Sequence, residues 1–208
     1  NLCREIEAFS ETLKPYVRDE MLAPLEVDLP VSGLTLAGNV GDIYPETLVR
    51  YRYARIKARH LMEVWLCHLI LNHVRPPGYP LTSLVAGLDR KNAWTAWEFA
   101  PVTDAMDILA GLVNMFRAGL TRPVHFFPES SLAFAEQIRE KKKSNEEALK
   151  EARKVWKGND FNKGEMANDP YYCLCFRTAD PLDTEFQDTA LEIFTPLIDC
   201  RKKLKPGS

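Results

Sequence analysis

LTLAGNVGDIYPETLVRYRYARIKARHLMEVWLCHLILN, residues 34–72, is the stretch whose reading decides the fold. Leu34 to Ala37 predicts a strand, with Gly38 and Gly41 marking a bend or bulge at its end. Pro45-Glu46 predicts a corner, and Leu48 to Ala54, rich in Tyr and Val, a further strand. Ile56 to Asn72 then carries Leu61, Met62, Val64, Trp65, Leu66, Leu69 and Ile70 around most of a helical circumference. Such a helix is normally buried on several sides. Pro76-Pro77-Gly78 stops it.

Outward from this stretch the pattern stays mixed. Residues 2–21 have apolar residues at helical spacing, and Pro15 ends or kinks that helix near Lys14. Leu25 to Leu29 alternates with period two between Pro24 and Pro30, as a short edge strand does, and Ser32-Gly33 is the turn. Downstream, Leu81 to Leu88 and Ala93 to Phe99 predict two strands joined by the charged turn Asp89 to Asn92. Thr103 is placed to cap a helix running to Ala118, ended by Gly119. Ser130 starts a helix from Ser131 to Trp156, interrupted at Ser144-Asn145, and residues 158–169 form a polar loop. Asp169 to Phe176 opens a last unit, followed by a helix with Phe186, Leu191, Ile193, Phe194, Leu197 and Ile198 as its apolar set, bent by Pro196. With no repeat and no linker, the 208 residues are expected to form one domain.

Composition narrows the function classes. With 46% hydrophobic and 27% charged residues the chain is an ordinary globular one. A formal charge of −2 excludes sequence-wide attraction to nucleic acid, so any DNA contact needs a local patch. Five cysteines, an odd number without framework spacing, fit reduced thiols in a cytoplasm. No apolar run reaches membrane-spanning length and no signal-peptide pattern is present, so no membrane association is expected. A first residue that is Asn rather than Met suggests a fragment of a longer polypeptide.

Strand, corner, strand and long helix, in that order, resemble the frame of the active site in restriction-endonuclease-like, or PD-(D/E)XK, nucleases. The fold class expected from the resemblance is α/β, with a mixed sheet flanked by helices and helical additions toward the C-terminus. Metal-assisted phosphodiester cleavage needs carboxylate oxygens to hold the cation. Such nucleases set an acid and a lysine two residues apart on one strand face, about 7 Å along the chain, with a further acid on the preceding strand. Here Gly41 stands where the first acid belongs, and Asp42 is one residue late, which turns its side chain to the other face unless a bulge at Gly41 restores it. The next strand puts Arg50 at the acid position and Arg52 at the lysine position. Guanidinium groups stay cationic and offer no oxygen to a metal. No catalytic, metal or cofactor residue is therefore assigned. The rival reading is an active metal-dependent nuclease using Asp42 with Glu26, Asp28 or Glu63.

The run Val49-Arg50-Tyr51-Arg52-Tyr53-Ala54, with Trp65-Leu66-Cys67-His68-Leu69 on the following helix, is similar to the C-terminal domain of RecC, the gamma subunit of exodeoxyribonuclease V. Phe127 to Ala133, Asp169 to Tyr172 and the helix from Asp183 to Ile198 fit the same family, extending the resemblance over nearly the whole chain. The resemblance implies a domain of nuclease fold without catalytic residues in the RecBCD helicase–nuclease of double-strand-break repair. It would serve assembly with RecB- and RecD-type subunits and handle DNA within the complex, while the active nuclease resides in RecB.

Arg50 and Arg52 are the DNA-contact candidates, because guanidinium suits phosphate geometry. The competing expectation is local pairing with Glu26, Asp28 or Asp42. His60, Glu63 and His68 are spaced too widely for zinc, and default to core or surface histidines. Cys173-x-Cys175, with Cys3 and Cys200, lacks the spacing of an iron–sulfur site, and the pair is expected on one strand face as buried, inert thiols. Trp94, Trp97 and Phe99 are expected to fill a core rather than stack on single-stranded DNA. The basic run from Arg139 to Lys157, interleaved with glutamates, is expected to be a solvated face.

Overall fold

The computed structural model describes residues 2–176 and 180–205. Its elements run α1 (Leu2–Leu13), β1 (Leu25–Val31), β2 (Leu34–Val40), β3 (Leu48–Arg55), α2 (Ala58–Val74), β4 (Ser83–Leu88), β5 (Trp94–Phe99) and α3 (Ala105–Gly119). They continue with α4 (Pro128–Arg139), α5 (Asn145–Lys157), α6 (Glu165–Asn168), α7 (Pro170–Cys175), α8 (Thr184–Cys200) and β6 (Arg201–Leu204). Two units result: Asn1–Val113 with Cys200–Ser208, and Asn114–Asp199. The chain passes between them inside α3, where no change of composition marks the step.

In the first unit, β1 and β2 form an antiparallel hairpin closed between Val31 and Leu34. Ser32 and Gly33 both take positive φ, 48° and 79°, the two-residue turn that suits the right-handed twist of paired strands. Contrary to the sequence reading, β1 runs through Pro30, which a hairpin edge tolerates. Gly38 lies inside β2 in unbroken register with Val27, and the left-handed residue beyond the strand is Asp42 (φ 55°) rather than Gly41.

The second sheet has the order β3-β4-β5-β6, with β3 and β4 parallel and the other pairs antiparallel. The unit is thus α/β with a mixed sheet flanked by helices. One face buries Val49, Leu84, Ala86 and Ala96 with Phe9 and Leu13 of α1. On the other face Phe99 meets Trp65 and His68 of α2, at ring-centroid distances of 5.7 and 5.8 Å. Strand β6, Arg-Lys-Lys-Leu, was not foreseen: a four-residue charged run carries no strand pattern and is recruited by pairing with β5.

Polar groups buried beneath α2 fix its packing. His68 lies 2.9 Å from Ser83 Oγ and 3.0 Å from the Ala100 carbonyl. Asn72 donates to the Leu81 carbonyl at 3.0 Å and accepts from the Val102 amide at 2.9 Å, tying the helix to two loops. Burial holds the His68 imidazole down at about 4, so it is neutral in the folded protein. Its unfolded counterpart titrates near 6.5.

The second unit is helical among its described residues. Phe127, Phe134, Trp156, Leu182 and Phe186 form its core with Ala148, Ala152 and Ala190. Phe127 is the hub, 4.2 Å from Trp156 and 5.1 Å from both Tyr172 and Phe176 between ring centroids. Helix α4 begins at Pro128 rather than at Ser131, since proline at the first helical position lacks only an amide hydrogen that the helix cannot use. Its free amides are capped from a distance: the Glu165 carboxylate accepts from Glu129 N (2.9 Å), Ser130 N (2.8 Å) and Ser130 Oγ (2.7 Å). Helix α5 is capped locally by the Ser144–Glu147 box, which explains the interruption read at Ser144-Asn145. Gly158 (φ 72°) and Gly164 lie against each other's backbone, and a Cβ on either would clash with it. Cys173 and Cys175 sit on the short helix α7, both exposed, which corrects the expectation of buried thiols on a strand.

These buried polar groups have two measurable consequences. Because His68 is held neutral, its contribution is complete above pH 6.5 and is lost as pH falls toward 4. It amounts to on the order of 3 kcal/mol over that window; urea titrations of wild type and His68→Gln between pH 7 and 4.5 should show a steeper acid loss in the wild type. Glu165→Ala leaves three donors of α4 without their acceptor and should lower unfolding free energy by about 2 kcal/mol, read by denaturant midpoint.

Candidate functional site

A cleft of about 540 Å³ opens on the first unit, between β3, α2 and the corner that precedes β3. Val49, Val64, Val85 and Ala86 supply its apolar walls, and Asp42, Arg50, Arg52, His60 and Glu63 its charged or titratable groups. Met21, Tyr44 and Tyr51 complete the lining.

Backbone geometry explains why these side chains converge. The Asp42 carbonyl accepts the Val49 amide at 2.9 Å, and Ile43 bridges Leu48, so the corner folds back onto the start of β3. Asp42 tolerates left-handed backbone better than most residues, because its short polar side chain bonds locally. Farther along, β3 bulges between Tyr51 and Arg55, with Gly87 of β4 opposite. A Cβ on Gly87 would come within 2.8 Å of the Ala54 carbonyl and 3.3 Å of the Arg52 carbonyl, so glycine is what lets the bulge pass. Helix α2 presents His60 and Glu63 one turn apart.

Arg50 donates through Nη1 to the Asp42 carboxylate. This is one of the three partners anticipated for it; Glu26 and Asp28 instead lie exposed on the β1–β2 hairpin, outside the cleft lining. The Nε atoms of Arg50 and Arg52 are both buried without a hydrogen-bond acceptor. His60 accepts the Lys57 amide through Nδ1 at 3.0 Å, closing the first turn of α2. Burial, reinforced by the positive charges of Arg52, Arg59 and Lys57, drives its imidazole down to about 4. The cleft at neutral pH therefore holds two permanent cations, two carboxylates and a neutral imidazole. Cys67 stands beside it, its thiol pushed up by burial against the opposing pull of Arg50.

His68 does not join His60: it faces Ser83 and Ala100 beneath the helix. Among the described residues no three His, Cys, Asp or Glu side chains are grouped to hold a metal ion. Phe99 is core, as expected. Trp94 packs with the α1 cluster, and the Arg201 guanidinium covers Trp97 at 4.2 Å, so neither ring is bare. In the second unit part of the basic run is matched by acids: Arg139 pairs with Asp199, Lys143 with Glu147, Arg153 with Asp180 and Lys154 with Glu151. Tyr44, Tyr51, Met21 and His60 were not singled out as one site from sequence. The signal that bore on them was the alternation of Tyr51 and Tyr53 with Arg50 and Arg52.

The class so defined is an α/β unit with a mixed sheet and an arginine-lined cleft on its parallel strand pair. Residues 1–139 match the family described as the RecC C-terminal domain, and the chain belongs to that family. It is 25% identical over 167 residues to the RecBCD enzyme subunit RecC of Escherichia coli (strain K12), covering 76% of this chain and 14% of that protein. It is likewise 25% identical over 142 residues to the RecBCD enzyme subunit RecC of Mycobacterium tuberculosis (strain CDC 1551 / Oshkosh), covering 68% of this chain and 12% of that protein. The chain thus spans only about an eighth to a seventh of the length of these relatives. The family match contains the whole cleft; the Asp169-to-Tyr172 and Asp183-to-Ile198 segments lie beyond it.

The thiols give a direct check on which cysteines the fold buries. Cys3, Cys173 and Cys175 are exposed, whereas Cys67 and Cys200 are partly buried and burial raises both thiols, that of Cys200 to about 11. Brief treatment with iodoacetamide at pH 8 should label the first three well before Cys67 and Cys200, because the thiolate is the reacting form, as read by peptide mass spectrometry.

Proposed function

We propose that this chain is a non-catalytic domain of restriction-endonuclease-like fold in a RecC-type subunit of a cytoplasmic RecBCD-type helicase–nuclease. In that role it serves assembly with RecB- and RecD-type subunits and guides DNA during double-strand-break repair, the 208 residues acting as one region of a longer subunit. Membership of the RecC C-terminal domain family supports the setting. Among the described residues no helix is long and apolar enough to cross a membrane.

The observation that carries the non-catalytic reading is the pairing of Asp42 with Arg50, with Arg52 beside it in the same cleft. A divalent cation would need the Asp42 oxygens, and it would have to take them from a guanidinium while lying next to a second one. Two positive charges repel it where a phosphodiesterase needs anions. The same two arginines are suited to phosphate oxygens.

Two measurements on the full subunit test this. Coexpression with the RecB- and RecD-type subunits should yield a complex that depends on this region; retention of both partners after its deletion removes the assembly role. Arg50→Glu with Arg52→Glu should weaken DNA binding at least tenfold. Because the variant no longer neutralises two phosphates, the dependence of log affinity on log salt should flatten by about 1.4 to 1.8. Unchanged affinity removes the DNA role. Metal-dependent cutting by the purified chain, abolished by Asp42→Asn, would establish the rival nuclease instead.

A further inference from the structure

Resting on the reading of the cleft as non-catalytic, we infer that it is a gated site for a phosphate-class oxyanion, with Asp42 occupying the anion's place in the free protein. Unmatched donors point to such a ligand. A guanidinium carries five N–H groups in a fixed fork. Asp42 takes up Nη1 of Arg50, while Nε of Arg50 and Nε of Arg52 are buried with no acceptor. Buried donors are normally satisfied. Two such atoms on neighbouring arginines of one cleft are an acceptor deficit that a tetrahedral oxyanion, with several oxygens, would fill once Arg50 is released.

The gate is open to exchange. The Asp42 side chain is 48% exposed and that of Arg50 31%, so the pair lies at the cleft mouth rather than in the core. An ion pair in that position is weak enough for a competing anion to displace. His60, the other titratable side chain of the lining that faces Arg52, is held neutral and adds no charge of its own; Glu63 is the remaining carboxylate. With Asp42 in place, positive and negative charges in the cleft balance. Moving Asp42 aside leaves one net positive charge at the two guanidiniums.

Size and lining narrow the ligand. About 540 Å³ suits one small ligand, since such pockets run from about 300 to 1,000 Å³. A cavity of that size encloses a small ligand rather than a length of double helix. Tyr44 and Tyr51 are in the lining, so a group attached to the phosphate would meet tyrosine beside the guanidiniums. The shared chemistry is that of a nucleotide phosphate, whether on a free mononucleotide or within a single strand.

The test compares wild type, Asp42→Asn, Arg50→Gln and the double variant, all in the 208-residue chain at low ionic strength. Calorimetric titrations use inorganic phosphate, thymidine 5′-monophosphate and an oligothymidylate. Asparagine keeps the left-handed backbone at position 42 while removing the charge, so the fold is preserved; near-UV circular dichroism checks it. The expected result is binding roughly fivefold tighter in Asp42→Asn than in wild type for at least one probe, with the gain absent when Arg50→Gln is also present. Equal tightening for mononucleotide and oligonucleotide identifies a free nucleotide as sufficient, and tightening confined to the oligonucleotide identifies a single strand. Inorganic phosphate alone tightening reduces the ligand to the bare oxyanion. Equal or weaker binding of all three probes by Asp42→Asn overturns the gate. If Arg50→Glu with Arg52→Glu still abolishes DNA binding in that case, the non-catalytic DNA-guiding role stands without it; if Asp42→Asn instead abolishes metal-dependent cutting, both fall.

Discussion

Parallel pairing of β3 with β4 is the constraint from which most of the first unit follows. Parallel neighbours cannot be joined by a tight turn, so the chain between Arg55 and Ser83 must cross over the sheet, and α2 is that crossover. A helix lying on a sheet needs an apolar underside, which Trp65, Leu61 and Leu69 supply. Its connections must also be held where they leave and re-enter the sheet. Asn72 does this by bonding the loops at Leu81 and Val102 from inside the core, and His68 by bonding Ser83 and Ala100. From these two positions, side chains of one helix reach the strand start and the strand exit together, which is why polar residues sit on an otherwise apolar face.

The same crossover creates the cleft. The end of β3 bulges over Gly87 before entering α2, leaving space between the strand and the first turns of the helix. Whatever side chains β3 directs to that side are drawn toward low dielectric, and there they are Arg50 and Arg52. Two neighbouring guanidiniums cannot be desolvated without a compensating anion. The corner before β3 delivers one in Asp42, on a backbone conformation that few other residues adopt without strain. The pair thus gives Arg50 a local partner at a cleft mouth that stays open to solvent. The same permanent cations add to the burial that depresses the basicity of His60.

Much of this was legible in the sequence because the signals are local. Period-two alternation located β1, the Tyr-rich run located β3, and the unbroken apolar circumference located α2, each within a few residues of its observed bounds. The two arginines facing the cleft were legible too, since strand periodicity alone assigns them one side. What escaped depends on partners far away in the chain. Strand β6 exists because β5 offers an unpaired edge, and nothing in Arg-Lys-Lys-Leu announces it. The start of α4 at Pro128 is completed by Glu165, 35 residues downstream of Ser130. Cys173-x-Cys175 reads as a strand by its spacing, whereas Asp169 as cap and Pro170 at the first helical position direct the segment into a short helix with both thiols outward. A cap and a proline in front of the pair outweigh the spacing of the two cysteines.

Asp42 shows why motif position and chemical role can part company. In the nuclease pattern expected from the sequence it stands one residue late, and a bulge at Gly41 was the device expected to restore it. The chain uses a different device: β2 ends at Val40, and the left-handed turn falls on Asp42 itself. A bulge before the residue would have turned its carboxylate to the other face of the strand, whereas the corner at Asp42 brings it to Arg50 of β3. There the group within reach is the Arg50 guanidinium, and the carboxylate rests on its Nη1. One backbone dihedral, at a residue type able to adopt it, decides whether this acid faces a cation that the protein supplies or one that solution would have to bring.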